Sequence, residues 1–467
     1  MEKIVKSLLS GDFEMAMSNC ALRQCGGDLP IVYEGPGLLA QEPGKSIRLR
    51  VFGAPTAPSE AFDREFSRDL TPGKLVPDSQ YYDFEGQDPY GAHWRANRIS
   101  IETDFGSGTY VRARPRILEK TVERSNPAER PVVVAFLPAK IELPWHAVNK
   151  KGERRWAEEQ FERKAGRFEW RIVTTDDGVW LTFSCADSPV EPHFEAFLRG
   201  LSIFTGRWLK PICLSIYEGD WQTTRVLNRL HEAHAEKLLT PIRAQREFAD
   251  DAHLFLERFV VRAAEENGRG NGTCDLAHRY WHRILRACES DIENSSLVLS
   301  VAVEGLVKNT LLSKTDVDAE FVRQAKEAEP ILREAGLGPR VLGCVLSSLG
   351  NARNPRVQDA LRRLATNGVA SEAHLQAWKG LRHAAAHGSV LEDDEIALQE
   401  HLDRFHVCLD LYYRLVFLLI RYEGRHTDYG SRGWPTRAFR PSASVTAATE
   451  AVSPSESAPE DADSEAI

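Results

Sequence analysis

No stretch of this 467-residue sequence is long and apolar enough to be read as a membrane span. The most apolar run, Leu411 to Ile420, is interrupted by Arg414 and bounded by Arg421. It falls well short of the ~20 residues a spanning helix needs. The N-terminus carries Lys3 and Lys6 but meets Asp12 and Glu14 after only a short apolar stretch. No signal peptide is therefore expected, and the expected compartment is the cytoplasm. No C-x-x-C pair occurs among the eight cysteines, Cys20, Cys25, Cys185, Cys213, Cys274, Cys288, Cys344 and Cys408. Their scatter argues against a zinc site, and in a reducing compartment they are expected as free thiols, mostly in the core. No phosphate-binding loop, dinucleotide fingerprint, serine elbow or internal repeat is present. Positive charge is in deficit, with 59 Lys and Arg against 68 Asp and Glu, a net charge of −9. Any nucleic-acid contact must then rest on a local patch. Residues 442–467 lack Lys, Arg and aromatic residues altogether. Such a segment cannot bury enough apolar surface to offset its ordering, so an acidic disordered tail is expected over 430–467.

What remains has an ordinary globular balance, 42% hydrophobic and 27% charged, in a chain long enough for two domains. The first half reads as strands. IRLRVFG (Ile47 to Gly53), RISIETDF (Arg98 to Phe105), GTYVRARPRI (Gly108 to Ile117) and PVVVAFLPAKIEL (Pro131 to Leu143) are short, β-branched and bounded by Gly or Pro. Phe168 to Cys185 is a hairpin signal, with Asp177-Gly178 between two alternating apolar runs. A helix is expected from His193 to Trp208, where Phe194, Phe197, Leu198, Leu201 and Phe204 recur at helical spacing. Pro211 ends it, and ICLSIYEG returns to strand. Trp170, Trp180, Trp208 and Trp221 are expected in this β-rich core.

From Ile242 the period changes to three and four. Helices are expected at 243–266, 276–290, 295–312, 318–335, 339–350, 356–366, 371–387 and 393–423, separated by short breaks that favour antiparallel neighbours. The last is apolar on most of its surface, which fits a central bundle helix or a dimer face. The fold class is α+β: a β-rich N-terminal domain, then an all-α up-and-down bundle. The expected boundaries are 1–29 for an N-terminal extension, 30–240 for the β-rich sensor or regulatory domain, 242–425 for the helical domain and 430–467 for the tail.

The chemistry-bearing segment is QAWKGLRHAAAHGSV, Gln376 to Val390. Arg382 and His387 lie five positions apart, with His383 beside the arginine. RNA carries its own nucleophile, the 2′-hydroxyl. A histidine with a pKa near ~6.5 can take or give the proton at neutral pH. An arginine presents a planar fork to two phosphate oxygens as charge develops. On a regular helix the two differ by ~140°, so a composite site shared with a second subunit would relieve the spacing. Between Arg340 and His387 the positives are Arg340, Arg353, Arg356, Arg362, Arg363, Lys379 and Arg382, against Asp359 and Glu372. That local excess suits a phosphate backbone, and Arg353, Arg356, Arg362, Arg363 and Lys379 are the expected RNA contacts.

Arg, a polar residue, three variable residues and His is the motif of the HEPN superfamily, and 382–387 resembles it with His383 as the polar residue. Its place on the second-last helix also fits. SSLVLSVAVEGLVKNTLL (Ser295 to Leu312), with Glu304, looks like the early helix of ApeA-type HEPN proteins, and the first half with AFLRGLSIFTGR (Ala196 to Arg207) is similar to their N-terminal domain. The resemblance covers most of residues 30–425. It implies a metal-independent endoribonuclease leaving 2′,3′-cyclic phosphate, with Arg382, His387 and His383 catalytic and two motifs joined across a homodimer of the helical domain. It also implies an anti-phage or toxin-like effector that takes a phage-derived trigger, without cofactor or membrane.

Bland readings compete. His387 is a surface or cap histidine in an ordinary helical protein, and Arg382 an ordinary surface charge. Arg362 and Arg363 fit a solvated face. His383 and His387 share a face as half a metal site, but no third ligand announces itself. Glu304 is four residues before Lys308, the favourable order for a helix pair. On these readings the bundle is a non-catalytic module that binds a nucleotide or a partner.

Overall fold

The computed structural model describes residues 1–26, 29–42, 46–61, 75–103, 110–144, 147–149, 158–228, 237–266, 272–314, 319–352, 354–387 and 394–442. At 147–149, 158–159, 314, 351–352 and 384–387 it gives the course of the backbone alone. The chain is α+β, an antiparallel sheet region followed by helices. It divides into two compact units, Met1–Thr240 with Ala244–Gly268, and Pro241–Arg243 with Arg269–Ile467.

In the first unit one half of the sheet runs, in spatial order, β10 (Ala147–Asn149), β11 (Glu158–Ala165), β12 (Phe168–Thr175), β13 (Gly178–Cys185), β9 (Val132–Leu137), β14 (Cys213–Glu218), β15 (Trp221–Leu227) and β8 (Ile117–Glu123). The other half continues with β5 (His93–Ile99), β4 (Tyr82–Gln87), β1 (Glu14–Gln24), β2 (Val32–Gln41), β3 (Ile47–Phe52), β7 (Tyr110–Ala113) and β6 (Ile101–Thr103). Among the described residues, two pairs, Trp94↔Lys120 and Arg95↔Glu119, join the halves.

The period-two pattern explains which face is covered. Phe168, Trp170 and Ile172 on β12, and Val179, Leu181, Phe183 and Cys185 on β13, all point inward. Helix α2 (Glu191–Thr205) lays Phe194, Phe197 and Leu201 against them, with Phe197 5.2 Å from the rings of both Trp170 and Phe183. Each such fully buried side chain stabilises the unit by about 1.5–3 kcal/mol. Helix α3 (Ala249–Glu265) packs on α2, where Gly200 lets the two backbones close. A Cβ at Gly200 would stand 3.0 Å from the Phe259 ring. His253 of α3 stacks on Phe161 of β11 at 3.9 Å. By period this helix reads as part of the later bundle; by its contacts it belongs with the sheet.

Three other readings change. The hairpin turn is Asp176-Asp177, one residue earlier than the sequence signal, with Gly178 already paired opposite Thr175. Gly178 has φ 152°, and a Cβ there would lie 2.3 Å from the Leu137 carbonyl oxygen, so the glycine answers a close approach within the sheet. Residues 1–29 are no extension. Helix α1 (Glu2–Ser10) buries Val5 and Leu8, and β1 is an interior strand between β2 and β4. Of the four tryptophans, Trp170 is buried, Trp180 and Trp208 are half-buried, and Trp221 is 54% exposed.

The second unit is built on α4 (Thr273–Ala287), α5 (Ile292–Thr310), α9 (Glu372–His387) and α10 (Glu395–Leu419), with α8 (Val357–Thr366) against α5 and α9. Trp281, Leu299, Val303, Leu306, Leu409, Tyr412 and Val416 are fully buried. The apolar surface of α10 is thus spent inside the unit, as for a central helix. Helices α6 (Ala319–Glu334) and α7 (Pro339–Ala352) pack on each other, yet leave Phe321, Ile331 and Val341 exposed. The expected tail starts later than 430. β16 (Gly424–Thr427) and β17 (Thr436–Phe439) form a hairpin that buries His426 and Phe439. Residues 443–467 lie outside the described residues.

Candidate functional site

Helix α9 starts where Ser371 and His374 exchange hydrogen bonds. The Ser371 backbone N–H donates to His374 Nδ1 at 2.9 Å, and the His374 backbone N–H reaches Ser371 Oγ at 3.4 Å. This reciprocal bonding caps the first turn. Beyond it Leu375, Trp378 and Leu381 form a buried stripe. Trp378 Nε1 donates to the Ser300 carbonyl on α5 at 3.1 Å.

One turn further along both helices, Arg382 Nε donates to Glu304 Oε2 at 2.7 Å. The Trp378–Ser300 and Arg382–Glu304 contacts both advance by four residues, so α5 and α9 run side by side in the same direction. Glu304 reaches across to Arg382 rather than along its own helix to Lys308, a correction to the sequence reading. The side chains of Arg382 and Glu304 are 41% and 35% exposed. At that exposure the pair contributes about 1 kcal/mol or less, and its value lies in fixing the guanidinium. Bonding through Nε leaves donor capacity on a group with five N–H donors.

His383 is exposed. His387 is the last residue of α9, and its side chain lies outside the described residues. The structure thus places Arg382 and His387 on one helix, five positions apart, without a described contact between them.

The basic residues divide similarly. Gln358, oriented with its amide oxygen toward the cations, accepts from Lys379 Nζ at 2.9 Å and Arg362 Nη2 at 2.5 Å, which draws α8 and α9 together. Arg362 also pairs with Asp359 at 3.6 Å, and Asp359 accepts from the Arg356 backbone N–H at 3.3 Å. Arg356 and Arg363 are exposed; Arg353 lies outside the described residues. The local positive excess is therefore partly answered by Glu304 and Asp359. A cavity of about 500 Å³ in this unit is lined by Asp403, His406, Tyr429, Arg432 and Trp434 among others; neither Arg382 nor His383 is among the described residues that line it.

A second constellation escaped the sequence reading. Asp410 of α10 is fully buried, accepting from Arg414 Nε at 2.6 Å and bonded to His374 Nε2 at 2.9 Å. His426 of β16 stands 3.8 Å away. Burial alone would raise the Asp410 pKa; the hydrogen bond with His374 and the charge of Arg414 outweigh it and hold the carboxyl below its ordinary value. Burial pushes His426 down, against the opposing pull of Asp410. With Asp410 sealed from solvent, this centre joins α9, α10 and the hairpin and offers no face to a substrate.

Among the described residues, Cys185, Asp187 and His193 of the first unit bring ligand atoms within 4.8 Å of one another. Arg167 Nη1 already occupies the Asp187 carboxylate at 2.5 Å, which opposes a cation there. All eight cysteines are free thiols, five of them buried. Among the described residues, no helix is long and apolar enough to cross a membrane. No family model, curated protein or solved structure matches the chain.

Proposed function

We propose that this chain is a metal-independent endoribonuclease of the HEPN type, acting as an anti-phage or toxin-like effector. Arg382 would hold the scissile phosphate and stabilise its developing charge. His387 would carry the proton of the 2′-hydroxyl or of the leaving oxygen, with His383 positioning beside them. The supporting observation is the Arg382–Glu304 pair, which holds the motif arginine half-exposed on the helix that ends at His387. Arg356, Arg362, Arg363 and Lys379, with Arg353, would follow the RNA backbone. The 2′-hydroxyl attacks the adjacent phosphorus, the 5′-oxygen leaves with a proton, and a 2′,3′-cyclic phosphate remains.

The test is incubation of the purified chain with total RNA in EDTA. Wild type should cut and leave cyclic-phosphate ends; His387→Ala and Arg382→Ala should each lose ~10²-fold or more of the rate, the scale of one general acid–base group. RNA that stays intact under activating conditions, including phage infection in cells, counts against the reading.

The same ion pair favours a second reading, in which Arg382 is structural and the bundle binds a nucleotide or partner without catalysis. Arg382→Ala would then lower the melting temperature or alter binding, with no nuclease activity to lose.

A further inference from the structure

The first unit contains a cavity of about 460 Å³ where its two half-sheets meet. Its walls carry Arg95, Arg98, Arg116 and Arg225 but one carboxylate, Glu119, with Tyr81 at the side. The cavity has a cause in the chain. Strand β5 carries one residue more than β4 between the pairs Phe84↔Ala96 and Tyr82↔Ile99, so Asn97-Arg98 bulges. Arg98 takes a left-handed backbone conformation, φ 52°, and its N–H is caught by Asp83 Oδ1 at 2.9 Å. A non-glycine residue there costs on the order of 1 kcal/mol, and bulges of this kind re-aim side chains. Beyond Arg95↔Glu119 the strands β5 and β8 no longer pair, and the gap between them is the cavity.

The charges in the gap are arranged with care for one another. Arg225, Glu119 and Arg95 stand in register on three neighbouring strands, β15, β8 and β5. Glu119 accepts from Arg225 Nε at 2.5 Å and Arg95 Nε at 2.8 Å, which fixes both forks. Arg225 also pairs with Glu191. Arg98 lies 5.0 Å over the Tyr81 ring and bonds Asp78 at 2.8 Å, a pair exposed by 61% and 70% and hence readily exchanged. Arg116 is exposed and has no ion-pair partner among the described residues. Four guanidinium groups converge on a volume within the range of small-molecule sites, with one carboxylate on its wall.

We infer that this cavity binds a polyphosphate-bearing small molecule of the nucleotide class. Arg116 and Arg98 would grip the phosphates, while Arg95 and Arg225, charge-balanced and held in place by Glu119 and Glu191, present their remaining N–H donors as a fixed floor. Guanidinium forks match phosphate oxygens bidentately, and Tyr81 and Ile117 add apolar surface for the rest of the ligand. This site stands independently of the ribonuclease reading.

Titration calorimetry on the full chain, at about 150 mM salt so that weak surface attraction is screened, tests it with ATP, inorganic pyrophosphate and adenosine as probes. ATP and pyrophosphate should bind and adenosine should not. Arg116→Ala should weaken binding by ~10-fold, the loss of one charge-assisted contact. Arg116→Glu should abolish binding with the melting temperature unchanged, since the side chain is exposed. Absence of binding by both phosphates at about 1 mM overturns the inference. So does binding that the Arg116 variants leave intact, or equal binding by adenosine.

Discussion

Single side chains in this protein act according to how far water reaches them. Glu304→Gln removes the charge partner of a half-exposed arginine, so a small loss of about 1 kcal/mol or less is expected in a urea melt. If Arg382 is catalytic, the same variant changes the cleavage rate far more than the melt. Asp410 is the opposite case. Asp410→Asn would leave the Arg414 cation, 14% exposed, without its carboxylate. Breaking such a buried pair costs about 3–5 kcal/mol, which an equilibrium denaturant titration would show. Acid sensitivity follows from the same burial. His401, His406 and His426 are each pushed below their ordinary value of 6.5, chiefly by burial. The unfolded chain therefore binds more protons, and stability falls as pH drops below about 6.5. Asp410, held below its ordinary 3.8, adds a loss only as pH falls under that value. Urea midpoints measured from pH 8 to pH 3 should show the histidine decline first; a flat profile between 7.5 and 5 would contradict it.

At the scale of elements, the β12–β13 hairpin gives the sharpest expectation. Gly178→Ala forces a Cβ against the Leu137 carbonyl at a φ that L-residues avoid. A loss of about 2 kcal/mol or more is expected in thermal melts. The same hairpin shows what a sequence makes legible. Its turn was readable to within one residue, because two clean alternating runs bracket it. The helices of the second unit were readable because their helical period persists over several turns and is punctuated by short polar or Gly-containing breaks. Strands β1 and β4 were not. A register shift between Met17 and Cys20 breaks the alternation of β1, while β4 alternates in burial but carries Asp83, Glu85 and Gly86, residue types that strands disfavour. Nor was the Asp410 centre. Asp410 and Arg414 lie four apart on one helix, but His374 comes from another helix and His426 from the hairpin, and nothing in the local spacing announces that they meet.

At the scale of the whole molecule, the proposal turns on association. The proposed ribonuclease needs two motifs together, and the α6–α7 hairpin leaves Ile331 68% and Val341 54% exposed, apolar surface suited to a second copy. If the chain dimerises through this face, as the proposal requires, Val341→Glu should shift it to monomer in sedimentation velocity without lowering the melting temperature. A wild type that sediments as monomer at all concentrations removes the dimer from the proposal. Of the candidate site, Arg382 on its helix was legible from the motif spacing, whereas Glu304 as its partner was not, since nothing in one helix announces which neighbour it will face. The seam between β5 and β8 carries a last consequence. Where ordinary strands are laced by a ladder of amides, these are held by two rungs and a row of alternating ions. Added electrolyte weakens ions but not amides, so ionic strength should open this join before any other part of the sheet, and its amide protons should be the first there to exchange with deuterium as salt is raised.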